Sequence, residues 1–355
     1  MSAKYNLKLN FIKQYFKAML LVGAFCLAAV SLTSCGASGA KPAAPYIPEN
    51  YLEESALISY EPSSLNTIPS NPYSTLSVPT YITKLDGLYF IVDCYHNQVI
   101  YHDNLSDPLY EWSVMTSDIS MGHTLASDGT VYLIDDTEND RILVMEKATN
   151  DAGESVFAPT QEFLNIGERP HYIIYDEYTD TFYAWSSQSG EMYLFRHAED
   201  DSRMYLTEVR SIPSLMGVYV RSFTIMDESI YFVSGNSSII EADLYSFKVK
   251  KEYPVPGEIA GMIQLTKIED YFYITISTDA SGNQDYATMI RTKSLKDLAS
   301  GAYEDVYSNF IGDGTPYYIT QIDGTYYLTE HRLPGHSIWS FQVENNEIIN
   351  VTAIY

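Results

Sequence analysis

The feature that most narrows the fold is a hairpin that recurs along the chain. Residues 78–94 read VPTYITKLDGLYFIVDC, and residues 315–331 read TPYYITQIDGTYYLTEH. Both place a proline, an aromatic, Ile-Thr, a polar residue and an aliphatic residue before Asp-Gly, and a tyrosine-rich run after it. Asp-Gly between alternating apolar runs is a strong short-range hairpin signal, because both central turn positions need a positive φ. Four further copies fit between, at 121–136, 169–187, 221–236 and 262–277. Their turns fall at Gly87, Gly129, Asp180, Ser229, Asp270 and Gly324, at intervals of roughly 40 to 55 residues. Two more apolar segments follow each hairpin, as in QVIYHD and LYEWSVM. Four short strands per unit at this period predict an all-β chain: a six-bladed β-propeller of four-stranded blades over 51–355. No stretch after residue 36 sustains a capped 3.6-residue apolar period. An irregular β-sandwich is the competing fold, since it also spaces short strands regularly. Ring closure stays open: 337–343 and 348–355 can finish blade six alone, or 56–62 can add a locking strand.

The N-terminus carries an address. Lys4, Lys8, Lys13 and Lys17 precede an apolar stretch from Ala18 to Leu32, and no acidic residue comes before residue 49. A spanning helix needs about 20 apolar residues, so this stretch suits a secretory signal better than a membrane span. It ends in Leu32-Thr33-Ser34-Cys35-Gly36, which resembles the bacterial lipobox. The resemblance implies that 1–34 is a lipoprotein signal peptide, removed when Cys35 is acylated and becomes the N-terminus. Each buried acyl methylene contributes about 0.8 kcal/mol, so several chains hold a protein on a bilayer without a spanning helix. Residues 35–50, rich in Pro, Ala and Gly, read as a flexible tether. The expected location is the cell envelope, lipid-anchored on the extracytoplasmic side of a bacterial membrane.

Charge and cysteine content bound the chemistry. With Cys26 lost and Cys35 lipidated, Cys94 is the last of three cysteines, so no intramolecular disulfide is expected. The chain carries 21 Lys and Arg against 46 Asp and Glu. Without the four leader lysines the balance is 17 minus 46, or −29. Such a surface repels phosphate backbones, which argues against a nucleic-acid partner.

In blade two, DGTVYLIDDTENDRILVME at 128–146 resembles the strand signature of NHL-type six-bladed propellers. Asp136, Thr137, Asn139, Arg141 and Ile142 take the matching positions. Blade one keeps Asn97 and Ile100, with Cys94 where the Asp is expected, and blades three to six depart from the motif. The resemblance supports the propeller and implies little about activity.

Binding candidates come from the repeat register. Counting six residues back from each short turn gives Tyr81, His123, Phe223, Gln264 and Tyr318. Matching Pro170 to Pro79 and Pro316 adds Tyr172. At the channel mouth this ring could stack a sugar or clasp a peptide side chain, while the same residues also suit packing between blades. Six residues after the turns lie Asp93, Asp135 and Glu330 on three consecutive blades. Lactonase and paraoxonase-like propellers hold calcium at the channel, and that resemblance implies an alternative calcium site on these carboxylates with Asn97 and Asn139 nearby. His123 and His171 stand on adjacent blades, with His331 on blade six. Peptidylglycine lyase-type propellers use histidines for zinc, but here the pair occupies different columns of the repeat. Its side chains are expected to diverge, so no zinc site is expected. The loop 279–285 imitates the start of a calcium loop but lacks its glycine and final glutamate. No Gly-x-Ser-x-Gly elbow or phosphate-cradling loop occurs, and Cys94 is expected to be buried and inert.

The reading is therefore a lipid-anchored propeller serving as a binding or scaffolding module for an extracytoplasmic protein, peptide or glycan. It needs no cofactor and leans away from an enzyme. The alternative is a calcium-dependent hydrolase or lactonase of the same fold.

Overall fold

The computed structural model describes residues 55–198, 203–310, 314–331 and 337–355. The expected signal peptide over 1–34, Cys35 and the expected tether over 35–50 lie outside the described residues. Among the described residues no helix is long and apolar enough to cross a membrane. Six four-stranded antiparallel units follow one another along the chain. The expected six-bladed β-propeller is the fold.

Blade one comprises β2 (Pro79–Leu85), β3 (Leu88–Asp93), β4 (Gln98–His102) and β5 (Ser113–Thr116). Blade two comprises β6 (Leu125–Ser127), β7 (Val131–Asp136), β8 (Arg141–Thr149) and β9 (Ser155–Phe163). Blade three runs through β10 (Pro170–Asp176), β11 (Thr181–Ser186), β12 (Glu191–His197) and β13 (Met204–Ser211). In blade four these are β14 (Val220–Met226), β15 (Ser229–Ser234), β16 (Ser238–Asp243) and β17 (Val249–Pro254). Blade five has β18 (Gly261–Ile268), β19 (Tyr271–Thr278), β20 (Thr288–Thr292) and a two-residue β21 (Glu304–Asp305). Blade six ends the chain with β22 (Thr315–Ile322), β23 (Thr325–His331), β24 (Ile338–Glu344) and β25 (Glu347–Ala353).

The Asp-Gly hairpins of blades one and six form as expected, while blade two has a wider turn with Ser127 opposite Tyr132. In blade one Leu85 pairs with Leu88, and Asp86 and Gly87 take φ of 50° and 81°. Blade six repeats this with Ile322 against Thr325 and Asp323 and Gly324 at 50° and 83°. The second strands are buried on both faces, as in the fully buried β7, because each blade packs between two others. Six buried apolar clusters sit largely between neighbouring blades, with Trp112, Trp185, Phe163 and Phe341 among the fully enclosed side chains.

Both closure routes considered above have a definite outcome. Blade six is completed by its own C-terminal strands. The short β1 (Ser55–Leu57) pairs with β9 instead, adding a fifth, outermost strand to blade two. Ring closure rests on hydrogen bonds between neighbouring blades rather than on a shared blade. Hydroxyls donate across five junctions: Thr80 to the His123 carbonyl (2.8 Å), Thr137 to Pro170 (2.7 Å), Ser222 to Ile263 (2.6 Å), Thr275 to Tyr317 (2.6 Å) and Thr329 to Thr80 (2.8 Å). The junction of blades three and four uses a backbone bond, Val220 N–H to the Ser187 carbonyl at 3.0 Å. Buried carbonyls at a blade edge must find donors, and these short side chains supply them.

Candidate functional site

Strand alternation puts the loops leading into each inner strand and the loops after each second strand on one face, around the channel. The recurrent column of the repeat points into that channel. Tyr172 packs at 5.0 Å from Tyr318 and 5.4 Å from Phe223, and Tyr81 stands edge-on to Tyr318 at 6.3 Å. Gln264 clasps the backbone of Ile319, accepting from its N–H at 2.6 Å and donating to its carbonyl at 3.1 Å. Tyr318 and Phe223 are fully enclosed, Tyr172, His123 and Gln264 are buried, and Tyr81 is partly buried. Together they fill the channel as a plug. Burial pushes the phenols of Tyr81 and Tyr318 up, and that of Tyr172 to about 12, so all three stay neutral.

Three expectations made from the sequence need correction. His123 and His171 do not diverge: their rings stack at 3.7 Å. A bulge in β10 between Pro170 and Tyr172 shifts the register and swings His171 inward. Tyr317 links the stack onward, its hydroxyl 3.4 Å from His171 Nε2 and its ring 4.4 Å from that of His331. Parallel rings direct their nitrogen lone pairs side by side, so this is an aromatic pile rather than a cage for an ion. Burial, then His123, Arg221 and Arg169, holds His171 well below the usual imidazole range.

The calcium alternative fails on convergence. Asp93 takes hydrogen bonds from Ser77 N–H (2.7 Å), His96 Nδ1 (2.6 Å) and Gln98. Asp135 takes them from the backbone of His123 and Thr124 and from both threonine hydroxyls, Thr124 and Thr137. Glu330 accepts from Tyr307 and from Trp339 Nε1. Each carboxylate is fully buried and used within its own or the adjoining blade. Among the described residues the one cluster of metal-type ligands is His102, Asp103 and Asp107, in a different loop. Gly122 makes the Asp135 arrangement fit: a Cβ there would lie 2.8 Å from the Asp135 carbonyl.

The motif register in blade one is also shifted by one residue. Asp93, not Cys94, matches Asp136: each caps a backbone N–H sixteen residues upstream, Ser77 and Ser120 respectively. Asp136 then holds Asn139 and Arg141 as Asp93 holds His96 and Gln98. Cys94 thus stands where blade two has Thr137, and His123 contacts both, Nδ1 at 3.0 Å from the Thr137 hydroxyl and Nε2 at 3.9 Å from Cys94 Sγ. Burial, then Asp135 and Asp93, pushes the Cys94 thiol up, away from the thiolate needed for attack.

Above the plug, the loop face is the accessible surface. Tyr95, Leu164, Met216 and Tyr286 project from it with 58%, 47%, 62% and 47% of their surface exposed. Tyr73 is exposed beside them and stacks on His96 at 3.5 Å. A cleft of about 740 Å³ opens on this face at blades five and six. The loop 279–285 leads into its wall, folded by its own bonds: Asp279 accepts from Ser281 and Asn283 N–H, and Asn283 caps Asp285. Neither the exposed ring nor the cleft was found from the sequence, since loop residues carry no period.

No family profile and no curated protein matches the chain. Solved propellers do. A Bacteroides uniformis protein provisionally assigned as a 6-phosphogluconolactonase aligns over 77% of this chain and 84% of its own, at TM-score 0.54 and 11% identity. A Bacteroides fragilis protein with the same provisional assignment aligns over 77% and 83%, also at 0.54 and 11%. A streptogramin B lyase aligns over 80% and 85%, at 0.51 and 15%. Identities this low establish a shared propeller and nothing about shared chemistry.

Proposed function

We propose that this chain is a lipid-anchored, extracytoplasmic binding module that engages a protein, peptide or glycan through the loop face of its propeller. One observation carries the reading: Tyr73, Tyr95, Leu164, Met216 and Tyr286 are exposed on the loops of one face, above a channel sealed by buried aromatics, against Tyr110, Tyr178 and Tyr245 on the loops of the other. Exposed apolar groups gathered on one face, rimmed by polar loops, mark interaction surfaces. For the calcium-dependent hydrolase alternative, Asp93, Asp135 and Glu330 form no converging ligand set among the described residues, so less supports it.

The test is capture from envelope extract by the full-length protein, with variants on the two faces. Tyr95→Ser/Met216→Ser should weaken capture about thirtyfold, as loss of interface anchors worth about 2 kcal/mol does. Tyr178→Ser/Tyr245→Ser, on the opposite face, should capture like wild type. Capture indifferent to the loop-face pair, or lost with the opposite pair, overturns the proposal.

A further inference from the structure

The cleft at blades five and six has a one-signed lining. Its walls present Glu258, Asp285 and Asp305 together with Tyr286, Tyr303 and Tyr307, and among the described residues no Lys, Arg or His lines it. Strand alternation makes the imbalance. In β20 and β21, Arg291 pairs with Glu304 and binds it at 2.8 Å, so the neighbouring Asp305 points the other way, into the cleft. Asp305 accepts only neutral donors, the Thr288 hydroxyl at 2.7 Å and the Tyr307 N–H at 3.0 Å. Glu258 accepts from the Tyr303 hydroxyl at 3.1 Å. Among the described residues none of the three carboxylates is ion-paired, and the nearby arginine, Arg291, is taken by Glu304. The field reaches the rings too: burial, then Glu258 and Asp305, raises the Tyr303 phenol.

We infer that this cleft binds a cationic organic group, an alkylammonium carried by a side chain or a small molecule, between the tyrosine faces and the carboxylates. Aromatic faces attract such cations through their quadrupole, and the unpaired, exposed carboxylates add Coulomb attraction that salt screens. Its volume is that of a small-ligand site. The inference rests on the loop face being the binding face and names the ligand chemistry for one part of it.

Calorimetric titration of the full-length protein with Nα-acetyl-lysine methylamide, choline and the neutral Nα-acetyl-norleucine methylamide tests it. At least one ammonium probe should bind about tenfold or more tighter than the norleucine probe, and binding should weaken as salt rises. Whether the lysine or the choline probe binds tighter tells a side chain from a small quaternary ligand. Tyr286→Ala should weaken that binding about tenfold, and Asp285→Asn/Asp305→Asn should remove the preference for charge. All three side chains are at the surface, so the variants should melt like wild type. Equal binding of the neutral probe, no binding of either ammonium probe, or variants that bind like wild type overturns the cation assignment. The loop-face capture experiment reads separately and can stand when this one fails.

Discussion

At the scale of single residues, Tyr318 shows how function-like and core-like positions share one repeat column. It is fully enclosed, packs on Tyr172 and Tyr317 at 5.0 Å and 4.4 Å, and donates to the Arg221 carbonyl at 3.1 Å. Truncating such a side chain leaves a cavity and an unsatisfied carbonyl, so Tyr318→Ala should cost about 3–5 kcal/mol. Denaturant titration checks this. Binding measured on the remaining folded protein should be unchanged, because the phenol does not reach the loop face. A variant that melts normally but loses binding would put the channel, not the loops, at the centre of recognition. The same scale explains why the aromatic column was visible in sequence while its role was not: periodicity reports which residues point inward, and inward can mean core or ligand.

At the scale of elements, blades two and three are joined by a titratable contact on the face opposite the site. His197, at the end of β12, donates to Asp128 in the β6–β7 turn at 2.8 Å. Burial alone would lower the His197 pKa, but the Asp128 carboxylate outweighs it and the value is raised. Burial likewise opposes ionisation of Asp128, and His197 with the N–H groups of Thr130 and Val131 lowers its value overall. The histidine's contribution is full below its unfolded value of about 6.5 and is lost as pH rises through the higher folded value. The aspartate's is full above about 3.9 and is lost as pH falls through the lower folded value. The pair therefore stabilises most near pH 5 to 6. Both side chains are mainly buried, so about 1 kcal/mol is at stake, or about 2 °C in melting temperature. His197→Gln should lower the melting temperature by that amount near pH 5.5 and by little at pH 8.5. An equal loss at both pH values would show that packing, not charge, accounts for the contact. His171 works with the opposite sign: buried and neutral, it favours the unfolded chain as pH falls below about 6.5.

At the scale of the whole molecule, ring closure and the proposed lipid anchor are separate devices. Hydroxyl-to-carbonyl bonds and one backbone bond join all six blade junctions, and Tyr355 adds a further tie from blade six to blade one, donating to the Leu105 and Asp107 carbonyls at 2.7 Å and 2.8 Å. Among the described residues the ring closes without a strand from the N-terminal side, which agrees with the proposed lipid tether there. Cys35→Ser should abolish labelling by a fatty-acid probe and partitioning into detergent, while the thermal transition of the propeller stays the same. A variant that still labels and partitions would remove lipid anchoring from the proposal.

Blade number and hairpin positions were legible in sequence because Asp-Gly turns and alternating strands are local: the turn chemistry and the period of two act over a few residues. The same locality made the inward column at Tyr81, Tyr172, Phe223 and Tyr318 readable. What lies beyond it was decided by the tertiary structure. One bulged residue in β10 stacked His171 on His123, and a one-residue register shift exchanged the roles of Asp93 and Cys94. Buried carboxylates that read as calcium ligands found N–H and O–H donors nearer than any shared centre. The exposed ring and the acidic, tyrosine-lined cleft arise where loops from separate blades meet, and no local pattern encodes a meeting between residues as distant as Glu258 and Asp305. Short-range backbone preferences set the blades; the cost of leaving buried polar groups unpaired, and the freedom of loops from any period, decided what the blades present.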